Sequence, residues 1–230
     1  QLLNRYVANS LATDIINKYP KVKSVFDHWR QNGSIQSNLY KNQELKSALL
    51  QETPWVLDAK SETERQKNIA LLFDFNKMSN ESNAALRKIL ERQNSDGSFS
   101  WFPGCSANEY ITSYVLENLG HLSKLGITTS NQSQINEMAA KAIQYCDNQV
   151  VRHYEDLIRW QKERKLKPED DYFDHWVTQY YYARSFFRKG QLPQNEAFNY
   201  YYSQVKKHWS KQQLYMMGIA ATVLERYGDH

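Results

Sequence analysis

Cysteine, proline and glycine are all scarce in this chain: two, five and eight among 230 residues. So little cysteine excludes a disulfide-stapled miniature scaffold, and so little proline and glycine excludes collagen-like or low-complexity sequence. No run of apolar residues approaches the length that spans a bilayer, and the opening QLLNRYVANS lacks the shape of a secretory signal. For an exported parent, the expectation is a targeting segment that was removed or lies outside this chain. A one-signed charge excess is missing too. The net charge is only +4, and Lys and Arg are scattered rather than striped, which gives nucleic-acid binding no support. H-E-x-x-H, C-x-x-C, a phosphate-cradling glycine loop and a nucleophile elbow are all absent.

What the chain has is helical rhythm. Apolar residues recur three and four apart almost throughout, with no convincing two-residue alternation, so the fold class is all-α. A first helix spans 2–18 and stops at Tyr19-Pro20, where the residue before proline is pushed out of the helical region. Further helices are expected over 22–30, 44–51, 61–77, 84–93, 108–125, 132–165, 173–189, 195–209 and 210–227. Ser61 with Glu64, and Ser210 with Gln213, have the spacing of capping boxes. Lys124 followed by Gly126 is a C-terminal signal. In the long segment 132–165, Ile135, Ala139, Ala142, Cys146, Val150, Tyr154, Leu157 and Gln161 step at nearly the helical period. Roughly ten short-linked helices suggest stacked antiparallel hairpins rather than a four-helix bundle. The chain reads as one domain over 1–230 and as a piece of a larger protein.

Cys146 lies on an apolar helical stripe and reads as a buried, inert thiol, whereas Cys105 follows Pro-Gly in a loop and reads as exposed. A disulfide between them stays open on sequence, and two thiols so far apart say little about redox compartment.

The stretch QNSDGSFSWFPG (93–104) collects turn residues and rings between two predicted helices. Asp96-Gly97 supplies a turn with Gly97 at positive φ, and the Gln93 amide can bridge backbone groups left unpaired at helix ends. Phe99, Trp101 and Phe102 are expected to plug the space between neighbouring hairpins. The same loop also has the makings of a pocket lining. Gln93-x-x-Asp96-Gly97-Ser98-Phe99 resembles the Q-x-x-D-G-(S/G)-(W/F) signature of α/α-toroid proteins: terpene cyclases, protein prenyltransferases, and the thioester domains of complement and α2-macroglobulin relatives. In that group the motif is chiefly structural, so the resemblance implies a fold more than a function. Gln93, Asp96, Gly97, Phe99 and Trp101 are its structural residues here.

Three further stretches narrow the resemblance. QLLNRYVANSLA at the start, ELKSALLQETPWVLDAKSETERQKNIALLFDFNKM (44–78) and NEYITSYVLENLGHLSKLG (108–126) resemble bacterial α2-macroglobulin-like proteins. There the first stretch follows a Cys-x-Glu-Gln thioester motif. The resemblance implies that Gln1 is the last motif residue, with its side chain as the acyl half of the thioester; the motif's Cys and Glu precede it and are not in this chain. Cys105, followed by Ser-Ala-Asn, does not substitute. The family's fold is a toroid of about six hairpins, which roughly ten helices would leave short or open. The implied role is a broad-range protease trap in the periplasm or cell envelope. Its acyl group, shielded from water by packing, acylates an attacking protease once the molecule rearranges. Tyr6, Trp55, Phe73, Phe75, Trp101 and Phe102 are candidates for that shield, although helix core explains each. The implied partners are proteases and neighbouring domains of the parent, with no cofactor, no metal, no membrane insertion and no turnover.

Two other classes of reading stand beside it. A toroid enzyme acting on carbohydrate or isoprenoid needs paired carboxylates or a metal site. Its candidates are Glu169, Asp170, Asp171, Asp174 and His175, or His153 with Asp156, although the acidic run reads more simply as a solvated turn. A helical interaction module is the other, with the ring-rich run from His175 to Tyr182 as an interface or a core. The Asn-x-Ser sequons at Asn32, Asn80 and Asn131 carry no assigned meaning.

Overall fold

The computed structural model describes residues 1–19, 21, 24, 75–129, 131–164, 175–187 and 193–229. The described residues are all-helical, with one isolated bridge between Phe99 and Asn108 in place of any strand. They contain seven α-helices: α1 (Leu2–Lys18), α2 (Phe75–Leu90), α3 (Glu109–Lys124), α4 (Gln132–Arg164), α5 (His175–Ser185), α6 (Glu196–His208) and α7 (Leu214–Arg226). The chain divides into two compact units, Gln1–Leu86 and Arg87–His230. The helices expected over 22–30 and 44–51, and the Ser61–Glu64 capping box, lie outside the described residues.

In the first unit, α1 buries Leu3, Tyr6, Ser10 and Ile16, a stripe at helical spacing. It ends at Tyr19, whose ψ of 77° has already left the helix one residue before Pro20. The Ser10 hydroxyl meets that of Ser82 at 3.5 Å. α2 corrects the expected break between 77 and 84. Ser79, Asn80, Ser82 and Asn83 are weak helix formers, but burial of Met78, Ala85, Leu86 and Ile89 on one stripe overrides local propensity.

The second unit is built around α5. Trp176 to Tyr181 and Ala183 to Ser185 are all buried, the pattern of a helix enclosed on every side. α3 and α7 are its main neighbours, while α4 packs on α3 and α6. The side-chain pairs fix the directions. Glu109 meets His153 and Ser113 meets Cys146, so α3 and α4 are antiparallel. Glu117 meets Gln179 and His121 meets Tyr182, so α3 and α5 are parallel. α3, α5 and α7 thus form one row, and α4 and α6 another.

Local chemistry sets the ends. Asn108 caps α3 by accepting from the Ile111 amide at 2.9 Å. Past its last turn, Ile127 N–H donates to Leu122 C=O and Gly126 N–H to Ser123 C=O, a Schellman closure with Gly126 at φ +70°. Asn195 caps α6 through the Ala197 amide at 2.8 Å. The capping box expected at Ser210 does not form. Trp209–Lys211 is a 3₁₀ turn, Gln212 is buried in extended conformation, and α7 starts only after Gln213. α5 closes at Ser185, short of the expected Lys189.

Candidate functional site

The loop between α2 and α3 is tied to α3 and α4 of the second unit. Gln93 Nε2 donates to Gly97 C=O at 3.0 Å and to Met138 C=O of α4 at 2.9 Å, so one amide ties the loop to itself and to a helix 45 residues on. Asp96 Oδ1 accepts from the Ser98 amide (3.0 Å) and hydroxyl (2.6 Å), an Asx turn. Gly97 takes φ +88°, and its Cα approaches α4 so closely that a Cβ would lie 2.2 Å from Lys141 O. Phe99 is buried, donates its N–H to Thr112 Oγ1 at 2.9 Å, and accepts through its carbonyl from Asn108 N–H at 2.8 Å. The residues from Gln93 to Phe99 therefore form a joint.

The second half of the loop differs from expectation. Trp101 and Phe102 do not plug an inter-helix space; they stand 58 % and 69 % exposed. The buried position was already taken by Phe99, and the turn at 101–105 directs the next two rings outward. Trp101 lies nearly parallel to the half-exposed Tyr110, with an interplanar angle of 18° and centroids 6.2 Å apart. Beside them is a recess of about 170 Å³ lined by Glu91, Arg92, Asn94 and residues 100–104, among them Trp101, Phe102 and Pro103.

Gln1 is exposed at the N-cap of α1; its carbonyl accepts from Arg5 N–H at 3.0 Å and its side chain makes no cap bond. Tyr6 is buried in the first unit. Trp55 and Phe73 lie outside the described residues, as do Glu169, Asp170, Asp171 and Asp174. His175 begins α5. His153 and Asp156 do not pair with each other: His153 Nε2 lies 2.9 Å from Glu109 Oε1, with its ring against Trp176, and Asp156 pairs with Arg159. Among the described residues no group of three or more His, Cys, Asp or Glu is placed to hold a metal.

Cys105 and Cys146 are both free thiols. Cys105 is exposed. Cys146 is fully buried 3.7 Å from Ser113 Oγ, and burial pushes its pKa up to about 12, so it stays protonated and unreactive. The rings of α5 form core rather than interface: Tyr181 OH donates to Phe198 C=O at 2.7 Å, and Tyr180 OH donates to Asp147 Oδ1.

Two polar clusters escaped sequence reading. Arg184, 1 % exposed, forks onto Asp147 through Nε at 2.8 Å and Nη2 at 3.0 Å. Burial opposes its charge, yet the bonds to Asp147 outweigh that and raise its pKa. The only sequence signal was a cation on an otherwise apolar and aromatic helix. In the other, Gln179 donates to buried Glu117, which also lies 3.6 Å from His121. Burial raises the Glu117 pKa, against the pull of His121 and the Gln179 bond. Gly120, one turn on, lets Phe186 approach to where a Cβ would meet its ring at 2.4 Å.

No protein-family model, curated protein or solved structure matches the chain.

Proposed function

We propose that this chain is the thioester-type domain of a bacterial α2-macroglobulin-like, broad-range protease inhibitor of the periplasm or cell envelope. It is a helical frame without turnover of its own that presents an acyl group to an attacking protease. The observation that carries the reading is the Gln93 clasp. Its single amide serves Gly97 and Met138 while Gly97 packs on the α4 backbone, which gives a mechanical purpose to each fixed residue of the Q-x-x-D-G-S-F stretch. The two-row order of α3, α5 and α7 beside α4 and α6 is what hairpins set around a ring would produce. No described helix is long and apolar enough to cross a membrane. In this reading Gln1, exposed at the start of α1, is the acyl donor of a Cys-x-Glu-Gln ring. The mechanism then requires that the parent's packing keep water from that acyl group until the bait is cut.

The test is covalent capture. Full-length parent protein mixed with trypsin is expected to give an adduct that survives boiling in SDS, and the gene is expected to encode Cys-x-Glu immediately before Gln1. An intact motif with no adduct under bait cleavage contradicts the trap. A second reading, a non-catalytic interaction module, is favoured by the exposed rings of Trp101, Phe102 and Tyr110; it predicts neither the motif nor the adduct.

A further inference from the structure

The recess at the outer half of the α2–α3 loop has a chemistry that the joint does not use. It is lined by the rings of Trp101 and Phe102 together with Arg92, Glu91, Asn94 and Ser100. Rings this exposed on a loop are costly to hydrate unless something with an apolar face covers them. The loop backbone that carries them is held in place. Cys105 N–H donates to Phe102 C=O at 3.1 Å, Ser100 Oγ donates to Cys105 C=O at 2.9 Å, and Asn94 Nδ2 reaches Ser98 Oγ at 2.9 Å. A ligand that stacks there meets a surface already ordered, so little entropy is lost on binding.

The lining also says what kind of ligand fits. Arg92 and Glu91 bring one charge of each sign, so the site favours neither an anion nor a cation. The lining thus offers a five-donor guanidinium and an acceptor carboxylate. A neutral ligand with one flat C–H face for the rings and a fringe of hydroxyls, each both donor and acceptor, matches all of these features. That is the chemistry of a pyranose, and a volume of about 170 Å³ suits a single sugar ring rather than a folded peptide.

We propose that the recess beside Trp101 and Phe102 is a subsite for one neutral pyranose unit of a glycan, stacked on the Trp101 face and held at its edge by Arg92 and Glu91. This goes beyond the trap reading and stands independently of it, since it uses no residue of the thioester. The test is saturation-transfer NMR with calorimetry on the full chain, using cellotetraose, maltotetraose and the N-acetylglucosamine tetramer as probes. At least one tetramer is expected to bind with a dissociation constant in roughly the millimolar range, with the ring-face protons of one sugar receiving most saturation. Trp101→Ala is expected to weaken binding by about tenfold or more, Phe102→Ala to weaken it as well, and Trp160→Ala, at an exposed ring on α4, to leave it unchanged. Both site rings are exposed, so the folded state should survive, which thermal unfolding checks. Absence of binding by all three tetramers at about 10 mM, or equal affinity in Trp101→Ala and the parent chain, overturns the proposal. So does a proline-rich peptide that occupies the recess where the sugars do not.

Discussion

A β-carbon on Gly97 would sit 2.2 Å from the carbonyl oxygen of Lys141, and backbone of an α-helix has nowhere to go. Positive φ adds a second penalty. Gly97→Ala is therefore expected to destabilise the second unit by about 2–4 kcal/mol, read as a drop in urea midpoint. A loss under about 0.5 kcal/mol, the range of an ordinary surface change, would mean that the joint is not close-packed. Gly97, Asp96 and Gln93 were legible in the sequence because turn chemistry is local. Which rings face inward was not, because composition does not reveal that Phe99 takes the buried place and leaves Trp101 outside. Glu117 makes the other residue-scale prediction. Its ordinary pKa of 4.5 is raised by burial, with His121 on its own helix, Gln179 and Tyr182 on α5, and Tyr215 on α7 around it. A carboxyl raised in the folded state binds its proton more tightly there than in the unfolded chain. Its contribution is favourable below 4.5 and lost as pH climbs through the raised value, so at neutral pH the ionised group opposes folding. Glu117→Gln should raise the melting temperature at about pH 7.5 and change it little near pH 4. A lower melting temperature at neutral pH would contradict this.

At the scale of elements, the pair Arg184–Asp147 locks α5 to α4. Truncation of one partner leaves the other charged and buried, so Asp147→Ala is expected to cost about 3–5 kcal/mol, measured by chemical denaturation. Asp147→Leu with Arg184→Met should recover much of that loss, since no uncompensated charge remains. The pair was invisible beforehand: its partners lie 37 positions apart, and only the packing of two helices brings them together. Where ends are set by neighbours in sequence, the reading and the structure agree. α1 stops before Pro20, and α3 starts on Asn108 and closes at Gly126. Where tertiary burial decides, they part. α2 runs through a Ser- and Asn-rich stretch because Met78 and Ile89 are buried on one stripe. α7 starts late because Gln212 is drawn inward as extended chain.

For the whole molecule, the described residues are all-helical, and the proposed acyl group is that of Gln1 at the start of α1. Both cysteines of the chain are free thiols. Cys146 is sealed in the second unit with its pKa pushed up to about 12, and Cys105 belongs to the ring-bearing loop. Methylamine is small enough to reach a shielded thioester and cleave it, giving a methylamide at the glutaminyl carbon and a free cysteine thiol. The decisive measurement is the intact mass and free-thiol count of the full-length protein before and after methylamine. The account predicts a gain of one methylamine adduct together with one newly titratable thiol; an unchanged mass with no thiol released would contradict it.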